Sequence, residues 1–98
     1  MPESEPTGEY IVECFWPGVD ETAVRALDLR AADAAAELTR DGMPVRYLGS
    51  ILMLEDEVVL CLFDGTPASV RTAAEQAEIP FERVLEATRS PWPMADSA

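Results

Sequence analysis

The segment 44–65, PVRYLGSILMLEDEVVLCLFDG, limits the possible folds of this chain more than any other feature. Two runs rich in Val, Ile, Leu, Tyr and Phe flank the acidic residues 55–57, and such runs between turn residues indicate a β-hairpin. In the second run, VVLCLF at 58–63, both alternate sets of side chains are apolar. Both faces of that strand must therefore be covered. This predicts a central strand with helices on one face and a partner on the other.

Helix and strand signals lie on both sides of the hairpin. YIVECFW at 10–16 alternates and stops at a Pro-Gly pair, which predicts a first strand, and RVLEATR at 83–89 predicts a last one. Asp20 and Thr66 are predicted N-caps of two helices, the first ending near Gly42 and the second near residue 78. The predicted inner side of the first helix is Val24, Leu27, Ala31, Ala34, Ala35 and Leu38. Its predicted solvent side is Arg25, Asp28, Asp33, Glu37 and Arg40.

The resulting order, βαββαβ, predicts a ferredoxin-like fold of the α+β class. We expect a four-stranded antiparallel sheet with both helices on one face and the first and third strands in the middle. An apolar set is then left on the helix-free face, which predicts a homodimer of the dimeric α/β-barrel kind. The predicted interface residues are Ile11, Phe15, Val58, Leu60 and Leu62. The predicted domain is 9–89, between a disordered leader at 1–8 and a tail at 90–98 whose Trp92 either docks or stays free.

Charge and residue content exclude several functions. Nineteen acidic and seven basic residues give a net charge of -12, which repels nucleic acids and anionic membranes. The N-terminus has no export signal and no apolar run reaches the roughly 20 residues of a membrane span, so we expect a cytoplasmic protein. The chain has no His, no CxxC motif and no glycine-rich phosphate loop. The commonest general base and imidazole metal ligand are therefore missing, which favours a protein that is not an enzyme.

Two pairs of side chains remain as candidate ligands. In the simplest register Glu13 on the first strand lies opposite or near Glu86 on the last, where the two acids share a proton, are neutralised by Arg46 or Arg83, or bind a cation. Cys14 and Cys61 fall on strands expected to be neighbours. Two thiolates on one face hold a soft metal, whereas buried thiols pack as small hydrophobic groups. The acidic turn at 55–57 is the weakest candidate, because adjacent solvated acids seldom converge on one ion.

Several short motifs resemble a known family. They are ECFWPG at 13–18, PVRYLGS at 44–50, EDEVV followed by CLF within 55–63, and IPFERV at 79–84. They resemble small bacterial proteins of largely unknown function that are described as nickel-binding and ferredoxin-like. The resemblance spans nearly all of 9–89 and implies a homodimer that binds a divalent metal, nickel in particular. Only Glu13, Glu86 and the two cysteines are present here to serve as the ligands.

These observations lead to two expectations of function. The first is a small homodimeric binding protein with a divalent metal, such as nickel, as its ligand. The second is a cofactor-free enzyme or small-molecule binder that uses the space between helices and sheet. A cavity lined by Trp16, Tyr47 and Phe63 with an inward-facing acid would favour the second, and a filled core the first.

Overall fold

The computed structural model describes residues 7–90, which contain four strands and two helices in the predicted order βαββαβ. The elements are β1 (Gly8–Phe15), α1 (Glu21–Arg40), β2 (Val45–Met53), β3 (Val58–Gly65), α2 (Pro67–Gln76) and β4 (Arg83–Ala87). The sheet is antiparallel with the strand order β2-β3-β1-β4, so the predicted ferredoxin-like fold is confirmed. Most of the predicted leader and tail, Trp92 included, lies outside the described residues. Gly8, assigned to the leader, belongs to β1.

Both helices begin at the predicted caps. The Asp20 carboxylate accepts a hydrogen bond from the Ala23 N–H at 2.8 Å, which satisfies one of the free donors of the first turn of α1. At the start of α2, Thr66 and Ser69 form a capping box. This helix is shorter than predicted, because Glu78 adopts a positive φ of 59° that ends the helical path.

The core lies between the sheet and the helices. Alternate residues of the two central strands point into it, and the helices meet them with mostly small side chains that allow close packing. The fully buried strand residues are Val12, Cys14, Val59, Cys61 and Phe63. The buried helix residues include Leu27, Ala31, Val70, Ala73 and Ala74.

The other face of the sheet carries the predicted interface residues, and we call it the open face. Ile11 pairs with Leu62 and Phe15 with Val58 across β1 and β3, and Leu60 between them pairs with Glu13, so the apolar strip is continuous along β3 and interrupted by Glu13 on β1. Phe15 is 52% exposed. The strip extends onto β2, where Ile51 pairs with Leu60 and Met53 with Val58. The predicted residues thus share one surface, on which Phe15 is exposed and the other four are half-buried.

A β-bulge interrupts the pairing of β2 with β3. Tyr47 pairs with Phe63, whereas Gly49 pairs with the next residue back, Leu62, so Leu48 has no partner on β3. Gly49 has a φ of 119°, a conformation that favours glycine. In a regular strand, residues 47 and 50 point to opposite faces. The extra residue brings both of these side chains to the helix side of the sheet.

The turn between β2 and β3 is joined to the loop after β1. The carbonyl of Glu57 accepts a hydrogen bond from the Trp16 N–H at 2.7 Å, and its carboxylate accepts one from the Gly18 N–H at 3.0 Å. Glu57 itself has a φ of 56°. One of the three turn acids is therefore a structural tie between two loops, whereas Glu55 and Asp56 are exposed.

Candidate functional site

The structure separates the two predicted acidic ligands. In the β1–β4 ladder Glu13 pairs with Arg83 and Glu86 pairs with Tyr10. Because Tyr10 is buried on the helix side, Glu86 lies on the opposite face from Glu13, and the prediction that the two acids lie close together is wrong. The Arg83 Nε donates to the Glu13 carboxylate at 2.6 Å. Of the alternatives for Glu13, neutralisation by Arg83 is the one observed.

The two cysteines lie on adjacent strands, on the same face, and are fully buried and reduced. They are diagonal neighbours, since Cys14 pairs with Val59 and Cys61 with Val12. A hydrogen bond between the thiols lowers the pKa of Cys14, and the same bond together with burial raises the pKa of Cys61. Diagonal positions are typically about 7–8 Å apart, beyond the usual Cα range of a disulfide. The pair therefore packs as two thiols within the core.

No group of three or more Cys, Asp or Glu side chains within residues 7–90 is arranged to hold a metal ion. Glu13 is bound to Arg83, Glu86 is exposed on the other face, and the thiols are enclosed by the core. Within the described part of one chain, the predicted ligands thus form separate sites of at most two residues.

The polar cluster with the most specific geometry centres on Asp28. Its Oδ1 accepts hydrogen bonds from the Tyr47 hydroxyl and from the Ser50 Oγ, the latter at 2.8 Å. Asp28 comes from α1, while the two donors come from β2 and reach the helix side together because of the bulge at Leu48. The carboxylate is thereby fixed between the helix and the edge strand.

Asp28 was predicted on the solvent side of α1, and that prediction is wrong. Its side chain is half-buried. A signal was present in the spacing, because Asp28 lies four residues after Val24 and seven before Ala35, both of which are buried. These spacings place the three side chains along one helix face. An acid on an apolar stripe indicates a polar partner on the element that the stripe covers.

Tyr47 is held as a neutral hydrogen-bond donor. Burial and the hydrogen bond to Asp28 raise the pKa of Tyr47 well above its ordinary value. Its ring packs against Phe63 with the ring centres 5.0 Å apart. Because Phe63 is fully buried, no open cavity within residues 7–90 lies against its ring, where one would have favoured an enzyme or a small-molecule binder. A tyrosine that keeps its proton orients a carboxylate and is a poor general base.

Asp28 and Ser50 also line a cleft of about 300 Å³ that opens to solvent between α1 and the end of β2. We call it the Asp28 cleft. Its walls combine acidic, basic, hydroxyl and apolar side chains. The lining residues are Glu21, Val24, Arg25, Asp28, Ser50, Leu52 and Leu54. Four of these side chains are polar or charged and three are apolar, so the cleft offers both hydrogen bonds and apolar contacts to a small molecule.

A comparison with models of protein families and with curated proteins gave no match. Within residues 7–90, neither helix is long and apolar enough to cross a membrane. The case for a function therefore depends on the geometry of this chain.

Proposed function

We propose that the protein is a ligand-binding protein that works as a homodimer, with the open face as the dimer interface and a small ligand in the Asp28 cleft of each copy. The observation that carries the binding role is the Asp28 carboxylate, which two hydroxyl groups hold in one orientation at the wall of an open cleft. A polar group fixed before the ligand arrives lowers the ordering cost of binding.

Charge distribution supports the homodimer. Three ion pairs lie on the open face together with the apolar strip, so the acids and arginines of these pairs balance there although the chain carries a net charge of -12. The pairs are Arg46–Asp64, Arg83–Glu13 and Arg89–Glu9. Contact through these faces keeps the other, acidic surfaces of the two copies apart, which reduces the repulsion between them. An apolar, electrically balanced face suits contact with an identical face across a two-fold axis.

Sedimentation equilibrium at micromolar concentration tests the dimer. We expect twice the chain mass of 10.7 kDa for the wild type. Leu60→Glu and Phe15→Glu should both give the monomer mass, because each places an unpaired carboxylate in the interface, at a cost on the order of several kcal/mol. Leu29→Glu is the matched control, since Leu29 is 69% exposed on α1 and away from the sheet. It should remain dimeric.

Circular dichroism of each variant would show that the fold is kept. A monomeric wild type would overturn the dimer, and dimers of both Leu60→Glu and Phe15→Glu would overturn the open face as its interface.

A divalent cation such as nickel is a second candidate ligand, favoured by the position of Glu13. This carboxylate is held on a strand, its side chain is only 29% exposed, and it lies within the proposed interface. A dimer brings the Glu13 of two copies to the same interface, which increases the number of available ligands beyond those of one chain. The ion must compete with Arg83 for the carboxylate.

A further inference from the structure

We infer that the Asp28 cleft binds an apolar amino acid or a similar small zwitterion, an inference that rests on the proposed ligand-binding role. Besides Ser50, which bonds to Asp28, three groups of side chains line the cleft: acids, one arginine and an apolar wall. Each group matches a different part of such a ligand.

The acids match an ammonium group. Oδ1 of Asp28 accepts two hydrogen bonds, whereas Oδ2 accepts none from any residue of the described chain. Glu21 lines the same cleft seven residues earlier, on the same side of α1. An ammonium group carries three donors and a positive charge. It can therefore bond to Oδ2 and be attracted by both carboxylates.

Arg25 matches a carboxylate. It lines the cleft between the two acids along α1, yet its guanidinium makes no ion pair or hydrogen bond with another residue in the range 7–90. Arg30 differs, because its Nε donates to the carbonyl of Ala77 at 2.8 Å. The planar guanidinium of Arg25 can form two parallel hydrogen bonds with a carboxylate of the ligand.

The remaining wall matches a short apolar side chain. Val24 lies on α1, while Leu52 and Leu54 continue from β2 into the turn. The cleft volume of about 300 Å³ is at the small end of ligand sites, which suits a molecule of amino-acid size.

The combination of the three groups distinguishes a zwitterion from simpler ligands. An amine alone leaves Arg25 without a partner, and an anion alone meets Glu21 and Asp28 as well as the net charge of -12. A ligand with both charges satisfies both sets of groups and brings no net charge.

Amide chemical shifts in nitrogen–proton correlation spectra test the inference. Leucine is the probe, and it is compared with isopentylamine, which lacks the carboxylate, 4-methylpentanoate, which lacks the ammonium group, and glycine, which lacks the apolar side chain. We expect leucine to shift the amides of 21–28 and 50–54 in a saturable way. Each incomplete probe should bind about tenfold more weakly or worse, because it loses one set of contacts.

Matched variants assign the charges. Arg25→Gln should lower the affinity for leucine by about tenfold or more and leave the affinity for isopentylamine unchanged. Asp28→Asn should weaken the binding of both leucine and isopentylamine. Glu21→Gln provides a second test of the acidic side, since the Glu21 side chain is exposed and forms no ion pair with another described residue. Arg40→Gln and Asp33→Asn alter exposed charges of the same helix outside the cleft, and should leave leucine binding as in the wild type.

The outcomes separate the two proposals. If isopentylamine or 4-methylpentanoate binds in the cleft as tightly as leucine, small-molecule binding stands and the zwitterion is wrong. If Arg25→Gln binds leucine as the wild type does, the zwitterion is also wrong. If none of the four probes shifts the cleft amides at millimolar concentration, both the zwitterion and the proposed role of the cleft are wrong. The dimer is tested separately, by the mass in sedimentation.

Discussion

Gly8 and Gly65 pair directly across β1 and β3, yet only one of these positions has room for a side chain. A Cβ on Gly65 would lie 2.8 Å from the Ser69 Oγ and 3.1 Å from the carbonyl oxygen of Pro44. A Cβ on Gly8 would meet its nearest atom, in the Tyr10 ring, at 4.0 Å. The Ser69 hydroxyl cannot easily move away, because it bonds to the Pro44 carbonyl and to the Thr66 N–H at the start of α2.

Gly65→Ala should therefore destabilise the protein by about 1–3 kcal/mol, as overpacking does in a close-packed core. Gly8→Ala should change the free energy of unfolding by less than about 1 kcal/mol, since its methyl group makes an ordinary contact and alanine restricts the unfolded chain. Urea denaturation of both variants measures the difference. Equal losses at the two positions would show that the contact with Ser69 is not the cause.

Removing the Tyr47 hydroxyl should change how stability depends on pH. The pKa of Tyr47 is raised in the folded protein, so when the pH rises past about 10 the unfolded chain ionises first and the wild type loses stability. Tyr47→Phe has no ionisable hydroxyl at this position, so it does not lose stability by this route. At about pH 8 the variant should be less stable by about 1–3 kcal/mol, the value of a hydrogen bond to a charged acceptor.

Urea denaturation at about pH 8 and about pH 11 measures the effect. The gap in stability between the two proteins should narrow at the higher pH. Parallel losses in the wild type and Tyr47→Phe would contradict the proposed state of Tyr47.

Nickel binding at Glu13, if that candidate is right, should respond in opposite directions to two substitutions. Arg83→Gln removes the guanidinium that competes for the carboxylate, and should tighten nickel binding. Glu13→Gln removes the anionic ligand and should abolish it. Arg89→Gln is the control, because it breaks a similar ion pair with Glu9 and leaves Glu13 unchanged.

Calorimetric titration of nickel into untagged protein checks this prediction. Binding should weaken at lower pH, because protons compete for carboxylate ligands. If the wild type, Glu13→Gln and Arg83→Gln all bind nickel equally, Glu13 is not a ligand.

The features that could be predicted from the sequence are those with local causes. Asp20 and Thr66 begin their helices as predicted, because a cap depends on only a few neighbouring residues. The two-sided apolarity of 58–63 predicted a central strand for a similar reason, since the pattern lies within the strand itself, and β3 is one of the two central strands, with its helix side buried.

The features that could not be predicted depend on register. The backbone bond from the Glu82 N–H to the Glu13 carbonyl starts the β4 ladder with Arg83 opposite Glu13. Glu86 is three positions further on, an odd number, and therefore points to the other face. The Asp28 site likewise requires one unpaired residue, Leu48, whose effect on Ser50 is not visible in the alternation of the strand.

The two hydrogen bonds that join Glu57 to the loop after β1 also have a consequence for the opening motions of the chain. The amides of Trp16 and Gly18 both donate to the same residue, one to its backbone and one to its side chain. The Trp16 amide exchanges with solvent deuterium when the hairpin turn and the loop separate, whereas the exposed bond of the Gly18 amide also breaks when the Glu57 side chain rotates. Two loops that are 39 residues apart in the chain thus open as one kinetic unit, and the exchange of the Trp16 amide reports on both.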